Sequence, residues 1–187
     1  DERKALVKPQ IESLYDRMTI YFSDNEKLVF NDARKFGRCR VVSSLENLVG
    51  VEPLSLSIKD FREKISCRKG VIKSLLLNQS VIAGIGNIYS DEILWHAGIH
   101  PLRRGNSLKF IEIKKLYQAM YNVLMLAIEK QGSSMRFFER PDGAGGGYYP
   151  IRKAYRRAGE KCSRDNGIIQ RIIVGQRSAH FCPKHQR

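Results

Sequence analysis

Apolar and polar positions divide the chain into a strand-like opening, a helical middle and a short basic end. Within residues 1–52, three runs have strand length: Met18-Thr-Ile-Tyr-Phe, Lys27-Leu-Val-Phe and Arg38-Cys-Arg-Val-Val. Ser23-Asp-Asn-Glu between the first two predicts a hairpin turn, and Val51-Glu-Pro-Leu-Ser reads as a linker. From Ile58 to about Glu139 the spacing turns helical. The clearest helix covers Leu108 to Glu129, with Phe110, Ile113, Leu116, Met120, Val123, Leu124, Ala127 and Ile128 three and four apart. Ser107 is its expected cap and Gly132 its stop. That stripe is core and carries no chemistry. Pro141-Asp-Gly-Ala-Gly-Gly-Gly-Tyr-Tyr is too rich in glycine to pack and predicts a loop. Residues 151–187 form a small β-rich tail that needs a staple. The fold class is α+β.

One stretch carries candidate chemistry. An apolar helical segment (Val71, Ile72, Leu75, Leu76) gives way to Ala83-Gly-Ile-Gly-Asn, and a second helix starts near Ile88. Glycine permits φ > 0 and lets a ligand approach the backbone closely. Asn87 suits an N-cap, and a helix start offers unpaired N–H groups at the positive end of its dipole. Such a turn is shaped for a phosphate.

Charge says which phosphate. The 187 residues hold 33 Lys and Arg against 19 Asp and Glu, a net charge of +14 and a pI near 9.8. That balance points to a polyanion, hence to nucleic acid; a basic protein whose charge merely keeps it soluble is the alternative. A hydrophobic content of 42% supplies real cores and argues against disorder. No apolar run approaches membrane-spanning length, and no signal-peptide core follows Asp1-Glu-Arg-Lys. The expected protein is soluble, intracellular and without membrane contact. Four cysteines do not make a disulfide framework. Cys39 and Cys67 lack partners at ligand spacing and are expected to be buried thiols.

Cys162, Asp165, Cys182 and His185 fall as C-x2-D and C-x2-H, with sixteen residues between Asp165 and Cys182. Two short turns at that spacing bring four ligands onto one zinc ion, as in a zinc ribbon or β-hairpin finger. Four protein ligands leave no open position, so the Zn2+ would be structural. A metal-free finger held by packing is the alternative, since aspartate is also a common turn residue.

The run Ala83 to Glu92 resembles the helix-two-turn-helix of the formamidopyrimidine-DNA glycosylase/endonuclease VIII family. Four further matches keep their order: Asn31 to Gly37, Gly50 to Leu54, Ala97 to Pro101, and Gly175 to Gln186. The resemblance implies three parts. Residues 1–52 would be the later part of a catalytic β-sandwich domain. Residues 58–150 would be the helix-two-turn-helix domain, with a loop at 140–149 that closes over an extruded base. Residues 151–187 would be a zinc-finger-like β-hairpin. Much of the family has four cysteines at the metal positions, and this chain departs at Asp165 and His185.

The resemblance also assigns roles. Arg68, Lys73 and Asn87 would contact phosphates, with Lys69 adding charge. Arg177, near the hairpin tip, would grip the phosphates around the lesion and assist the elimination step, so it stands as catalytic and DNA-binding together. A guanidinium forks onto two phosphate oxygens in a way that lysine cannot copy. Extruding a base costs a few kcal/mol of stacking, and a wedge with a hydrogen-bonding arginine can fill the gap. Phe36 and Arg34 take those roles; a turn with Phe36 in the core is the alternative.

The family's nucleophile is a terminal proline amine beside a glutamate, with a lysine and a methionine further along. Nothing here aligns with them, and Pro9 is internal, so its nitrogen is an amide. Either the chain is a fragment or it binds DNA without cutting it, and the lesion-site residues favour the fragment. The implied protein is a monomeric base-excision repair glycosylase with AP-lyase activity for oxidised purines (8-oxoguanine, formamidopyrimidines). It would bind and bend damaged double-stranded DNA, in the cytoplasm at the nucleoid. A non-catalytic damaged-DNA module and a ribosomal-type RNA binder are the alternatives. Borohydride trapping should yield no adduct with this chain, alongside salt-sensitive binding to abasic duplex.

Overall fold

The computed structural model describes residues 13–44, 49–133 and 144–187. They belong to two compact units, residues 1–44 and 45–187. Helices and strands are mixed but segregated along the chain, an α+β architecture.

In the first unit, β1 (Asp16–Tyr21) pairs antiparallel with β2 (Lys27–Asn31), Tyr21 opposite Lys27. The turn forms where the polar run predicts it. Asn25 takes φ 64°, a conformation that asparagine tolerates, and Phe22 N–H donates to the Glu26 carbonyl. The third expected strand does not form: residues 38–42 pair with nothing in a ladder, and Val41 is fully exposed. An apolar run becomes a strand only against a partner edge, and among the described residues this unit holds a single pair.

The second unit holds α1 (Ile58–Ser66), α2 (Ile72–Leu77), α3 (Asn87–Ala97), α4 (Phe110–Glu129), β3 (Gln170–Val174) and β4 (Arg177–Phe181). The linker is not free. Pro53 is buried in a 3-10 turn, and Val51 bridges Ile82 in parallel. Ser57 caps α1, accepting the Asp60 N–H, and Phe61 and Ile65 enter the core. Helix α4 starts two residues later than the pattern predicts. Its first turn is closed by the Glu112 carboxylate, which accepts the Lys109 N–H at 2.7 Å, so Ser107 is not the cap. Gly132, at φ 88°, ends it as expected, returning its N–H to the Ala127 carbonyl. The middle of the stripe is buried, but Phe110 and Ile128 at its ends are exposed because the helix outruns the core.

Helix α3 is enclosed on nearly every side: Ser90 to Trp95 are all buried. Its inner residues join the main core. Trp95 instead packs with Ala154, Cys162, Ile169 and Cys182 in a second, smaller core. Residues 151–187 thus cluster with the helices in one compact unit. Cys39 and Cys67 are both exposed, contrary to expectation: Cys39 lies on the unpaired segment and Cys67 at the outer end of α1. Among the described residues, no helix is long and apolar enough to cross a membrane.

Candidate nucleic-acid interface and metal cluster

The turn between α2 and α3 is braced by one side chain. Gln79 accepts the Gly84 N–H through Oε1 (2.8 Å) and donates through Nε2 to the Ile85 carbonyl (3.0 Å). Gly84 sits at φ 79°, where a side chain would be strained. Gly86 is extended (φ −98°, ψ −176°) and is itself the cap; Asn87 is the first helical residue rather than the cap. A Cβ at Gly86 would meet nothing within 4 Å, so the chain's own packing does not require glycine there. The first intrahelical bond runs from Ser90 N–H to the Gly86 carbonyl, and among the described residues the helix N–H groups before it meet no partner.

Across from this turn stands the hairpin tip. Gly175 (φ 52°) and Gln176 (φ 65°) form a two-residue turn with both residues left-handed, closed by the pair Val174 and Arg177. The Arg177 side chain is exposed and makes no hydrogen bond or ion pair among the described residues. Asn87 and Arg177 line one open cavity of about 630 Å3, together with Ser74, Gln79, Gly86 and Gly175. The tip is close to α2: a Cβ at Gly175 would lie 3.2 Å from Ser74 Oγ.

Lys73 requires a correction. It is wholly buried, and its ammonium donates to Asp91 Oδ1 (2.6 Å), Ser90 Oγ (2.7 Å) and the Asn87 carbonyl (3.2 Å). All three donors are used, so none is left for a phosphate. Burial pushes its pKa below the ordinary lysine value, and Asp91 opposes that fall. Arg68, just past the end of α1, turns back to the Lys64 carbonyl of that helix. It lines a separate groove of about 430 Å3 with Asp60, Glu63 and Cys67, and does not join the cavity of Asn87 and Arg177.

In the first unit, Arg34 and Phe36 ride on a turn organised by Asp32. Its carboxylate accepts N–H bonds from Gly37 (2.6 Å), Arg34 (3.0 Å) and Lys35 (3.0 Å). The Gly37 bond is the largest of these effects; with the others it outweighs burial and holds the carboxyl below its ordinary pKa. Phe36 is 74% exposed with the Arg34 guanidinium 4.8 Å over its ring, which removes the reading of Phe36 as core.

The ligand atoms of Cys162, Asp165, Cys182 and His185 all lie within 4.8 Å of one another. Cys162 Sγ is 3.8 Å from His185 Nδ1, and Cys182 Sγ is 3.3 Å from Asp165 Oδ1. Ligand bonds of 2.0–2.3 Å give tetrahedral edges of roughly 3.3–3.8 Å. The Asp165 to His185 edge, 2.8 Å, is instead a hydrogen bond. Outer partners are in place: Trp95 Nε1 donates to Cys162 Sγ (3.3 Å), and His185 Nε2 faces the Trp95 carbonyl (3.3 Å). At Gly167 a Cβ would stand 2.7 Å from Cys182 Sγ, so only glycine leaves the cluster its room. Burial raises the Asp165 pKa, but bonds from Gly167 N–H, His185 and both cysteines outweigh it and hold the carboxyl below its usual range. Burial, with Asp165 beside it, pushes the Cys182 thiol up; a bound cation would reverse that shift. Two sulfurs, one oxygen and one nitrogen converging with these outer bonds fit a zinc ion.

Sequence reasoning missed the buried acids of α3. Asp91 Oδ2 accepts the His180 N–H (3.0 Å) and faces its Nδ1 (2.8 Å). Glu92 accepts three backbone N–H groups, from Lys153 (2.7 Å), Ala154 (2.9 Å) and Tyr155 (2.9 Å). Burial raises the Glu92 pKa while those donors oppose it. The available signal was two adjacent carboxylates directly before the apolar run Ile93-Leu-Trp.

Two helices joined through glycines, facing an arginine-tipped hairpin, define a helix-two-turn-helix protein. The family profile described as "Formamidopyrimidine-DNA glycosylase H2TH domain" matches residues 49–139. The formamidopyrimidine-DNA glycosylase of Herpetosiphon aurantiacus is 41% identical over 90% of this chain and 64% of its own length. That of Ligilactobacillus salivarius is 37% identical over 99% of this chain and 71% of its own. Lactococcus lactis Fpg, solved in complex with DNA containing an abasic site, superposes with a TM-score of 0.83 at 36% identity, over 96% of this chain and 69% of that one. The chain belongs to the formamidopyrimidine-DNA glycosylase family, and it spans 64% to 71% of the length of these relatives.

Proposed function

We propose that the chain grips damaged duplex DNA as part of a base-excision repair glycosylase with AP-lyase activity for oxidised purines. The observation that carries this is the shared cavity of Asn87 and Arg177. The Asn87 side-chain amide and the bare backbone amides at the start of α3 receive one phosphate, while the Arg177 guanidinium forks onto oxygens of the same strand. In the elimination step a phosphate leaves the sugar, and a fixed guanidinium stabilises the charge that develops on it. Arg34 and Phe36 fill the gap left by the extruded base. The reading is supported by relatives solved with abasic DNA, with Fapy-dG DNA and with carbocyclic 8-oxo-G DNA.

The same reading divides the chain as 1–52, 58–150 and 151–187, with a base-covering segment at 140–149; residues 140–143 of it lie outside the described ones. Arg68, whose groove is separate, would add phosphate contacts at the flank. Cys162, Asp165, Cys182 and His185 would hold one structural Zn2+, which would fix the base of the hairpin that carries Arg177. The protein would act as a monomer, in the cytoplasm at the nucleoid.

Fluorescence anisotropy on duplexes with and without an abasic-site analogue tests the reading. Tighter, salt-sensitive binding to the abasic duplex is expected, and Arg177→Ala and Asn87→Ala should each lower affinity about tenfold or more, the scale of a hydrogen bond to a charged group. Unchanged affinity in both variants, or equal affinity for structured RNA, would refute it.

A further inference from the structure

The two gripping elements are joined by a buried path of side chains. Lys73, Asp91 and His180 are 0%, 1% and 5% exposed. From the Asn87 carbonyl the path runs through the Lys73 ammonium (3.2 Å) to Asp91 Oδ1 (2.6 Å), and from Asp91 Oδ2 to the His180 backbone N–H (3.0 Å). The same oxygen lies 2.8 Å from His180 Nδ1, within hydrogen-bond distance of the ring. We propose that Asp91 is a positioning residue for DNA binding, a two-armed carboxylate that fixes Arg177 relative to Asn87. The proposal rests on the reading that both residues hold one strand.

Strand register explains why the N–H of His180 is available. The turn closes on the hydrogen-bonded pair Val174 and Arg177, and pairs alternate from there. His180, opposite Arg171, therefore falls in a non-hydrogen-bonded pair, and its N–H points off the ladder toward α3. An isolated two-stranded hairpin is marginal in water, so its aim depends on what pins it. The cysteine cluster pins the base. Asp91 pins β4 midway, three residues from the arginine, holding backbone and ring of one residue together. Apolar side chains could fill the same space with equal or better stability. They would not fix the register of the hairpin on the helix to within a hydrogen bond. That difference separates positioning from mere core packing.

The test is a double-mutant cycle on abasic-duplex affinity, run with the full chain. In the wild type, Arg177→Ala should cost about tenfold or more. In the paired apolar exchange Lys73→Met with Asp91→Leu, which removes both charges together, the same change should cost about threefold or less, because a misplaced arginine has little left to lose. A full cost of Arg177→Ala in that folded background overturns the proposal. No cost in the wild type would overturn the DNA-grip reading itself, a result distinguishable from the first. His180→Leu and His180→Asn give the check that does not touch the buried pair. Asparagine puts an amide nitrogen where Nδ1 stands, so it should restore the Arg177 contribution that leucine reduces. Equal contributions in wild type, His180→Leu and His180→Asn would overturn the proposal as well.

Discussion

Gly84 and Gly86 look alike in the motif but do different work. At Gly84 the backbone is left-handed, so Gly84→Ala should lower stability by about 1–2 kcal/mol in a thermal melt. At Gly86 the backbone is ordinary extended chain with open space beside it. Gly86→Ala should therefore lose only the modest preference for glycine over alanine at a helix cap, less than Gly84→Ala loses, yet bind duplex DNA more weakly if phosphate meets the bare amides there. Equal binding would mean that nothing comes that close. The sequence showed the glycines but not their division of labour, because φ depends on where α3 begins, and that start lies one residue earlier than Asn87 as a cap would put it. Lys73 shows the same limit more sharply. Its charge was legible and its burial was not, since its partner Asp91 lies a helix away and His180 lies in the tail. Asp32 offers a pH test at this scale. Its folded pKa lies below the ordinary carboxyl value of 3.8, so the turn that carries Arg34 and Phe36 keeps this support above that value and loses it as pH falls through the lowered one. The Gly37 amide shift in NMR should titrate with a midpoint under 3.8; a midpoint above it would show that the carboxylate is not held by these bonds.

At the scale of elements, α3 is the frame to which the rest is fastened. It receives the tail through Glu92, the hairpin through Asp91 and the cysteine cluster through Trp95. A helix buried on nearly every side shows little amphipathic pattern, and for that reason periodicity singled out α4, while α3 was legible only from the glycine turn before it. Glu92→Gln would keep an acceptor for Ala154 and Tyr155 but turn an NH2 toward the Lys153 N–H. That unmet buried donor should cost about 1–3 kcal/mol, read from the denaturant midpoint. That Cys162, Asp165, Cys182 and His185 converge was legible, because two short turns at that spacing bring their side chains together. What anchors the cluster was not, because Trp95 reaches it from the far end of α3. Trp95 is the chain's one tryptophan, so it reports on the cluster directly. Chelation should release about one equivalent of zinc, shift Trp95 emission to the red and weaken DNA binding together, as expected where metal binding is coupled to folding. Emission and binding that ignore the chelator would leave the finger held by packing alone.

For the whole molecule the question is whether the charge of +14 acts as a diffuse attraction or through placed contacts. A diffuse field attracts any polyanion, and removing one cation from so many would scarcely alter it. A placed contact behaves differently. Each phosphate neutralised releases condensed counterions, so affinity falls with salt with a log–log slope of about −0.9 per phosphate met on duplex DNA. Arg177 is exposed, unpaired among the described residues and aimed into the same cavity as Asn87, the situation of a placed contact. Arg177→Ala should therefore reduce the magnitude of the slope by about 1 and weaken binding to duplexes of different sequence alike. Arg177→Lys keeps the charge while losing the fork, so the slope should stay near that of the wild type while affinity falls part of the way. Anisotropy titrations across a salt series, run on all three proteins, separate the two accounts. If the alanine variant keeps the wild-type slope, Arg177 touches no phosphate, and the hairpin that α3 holds so firmly in place must serve something other than the strand.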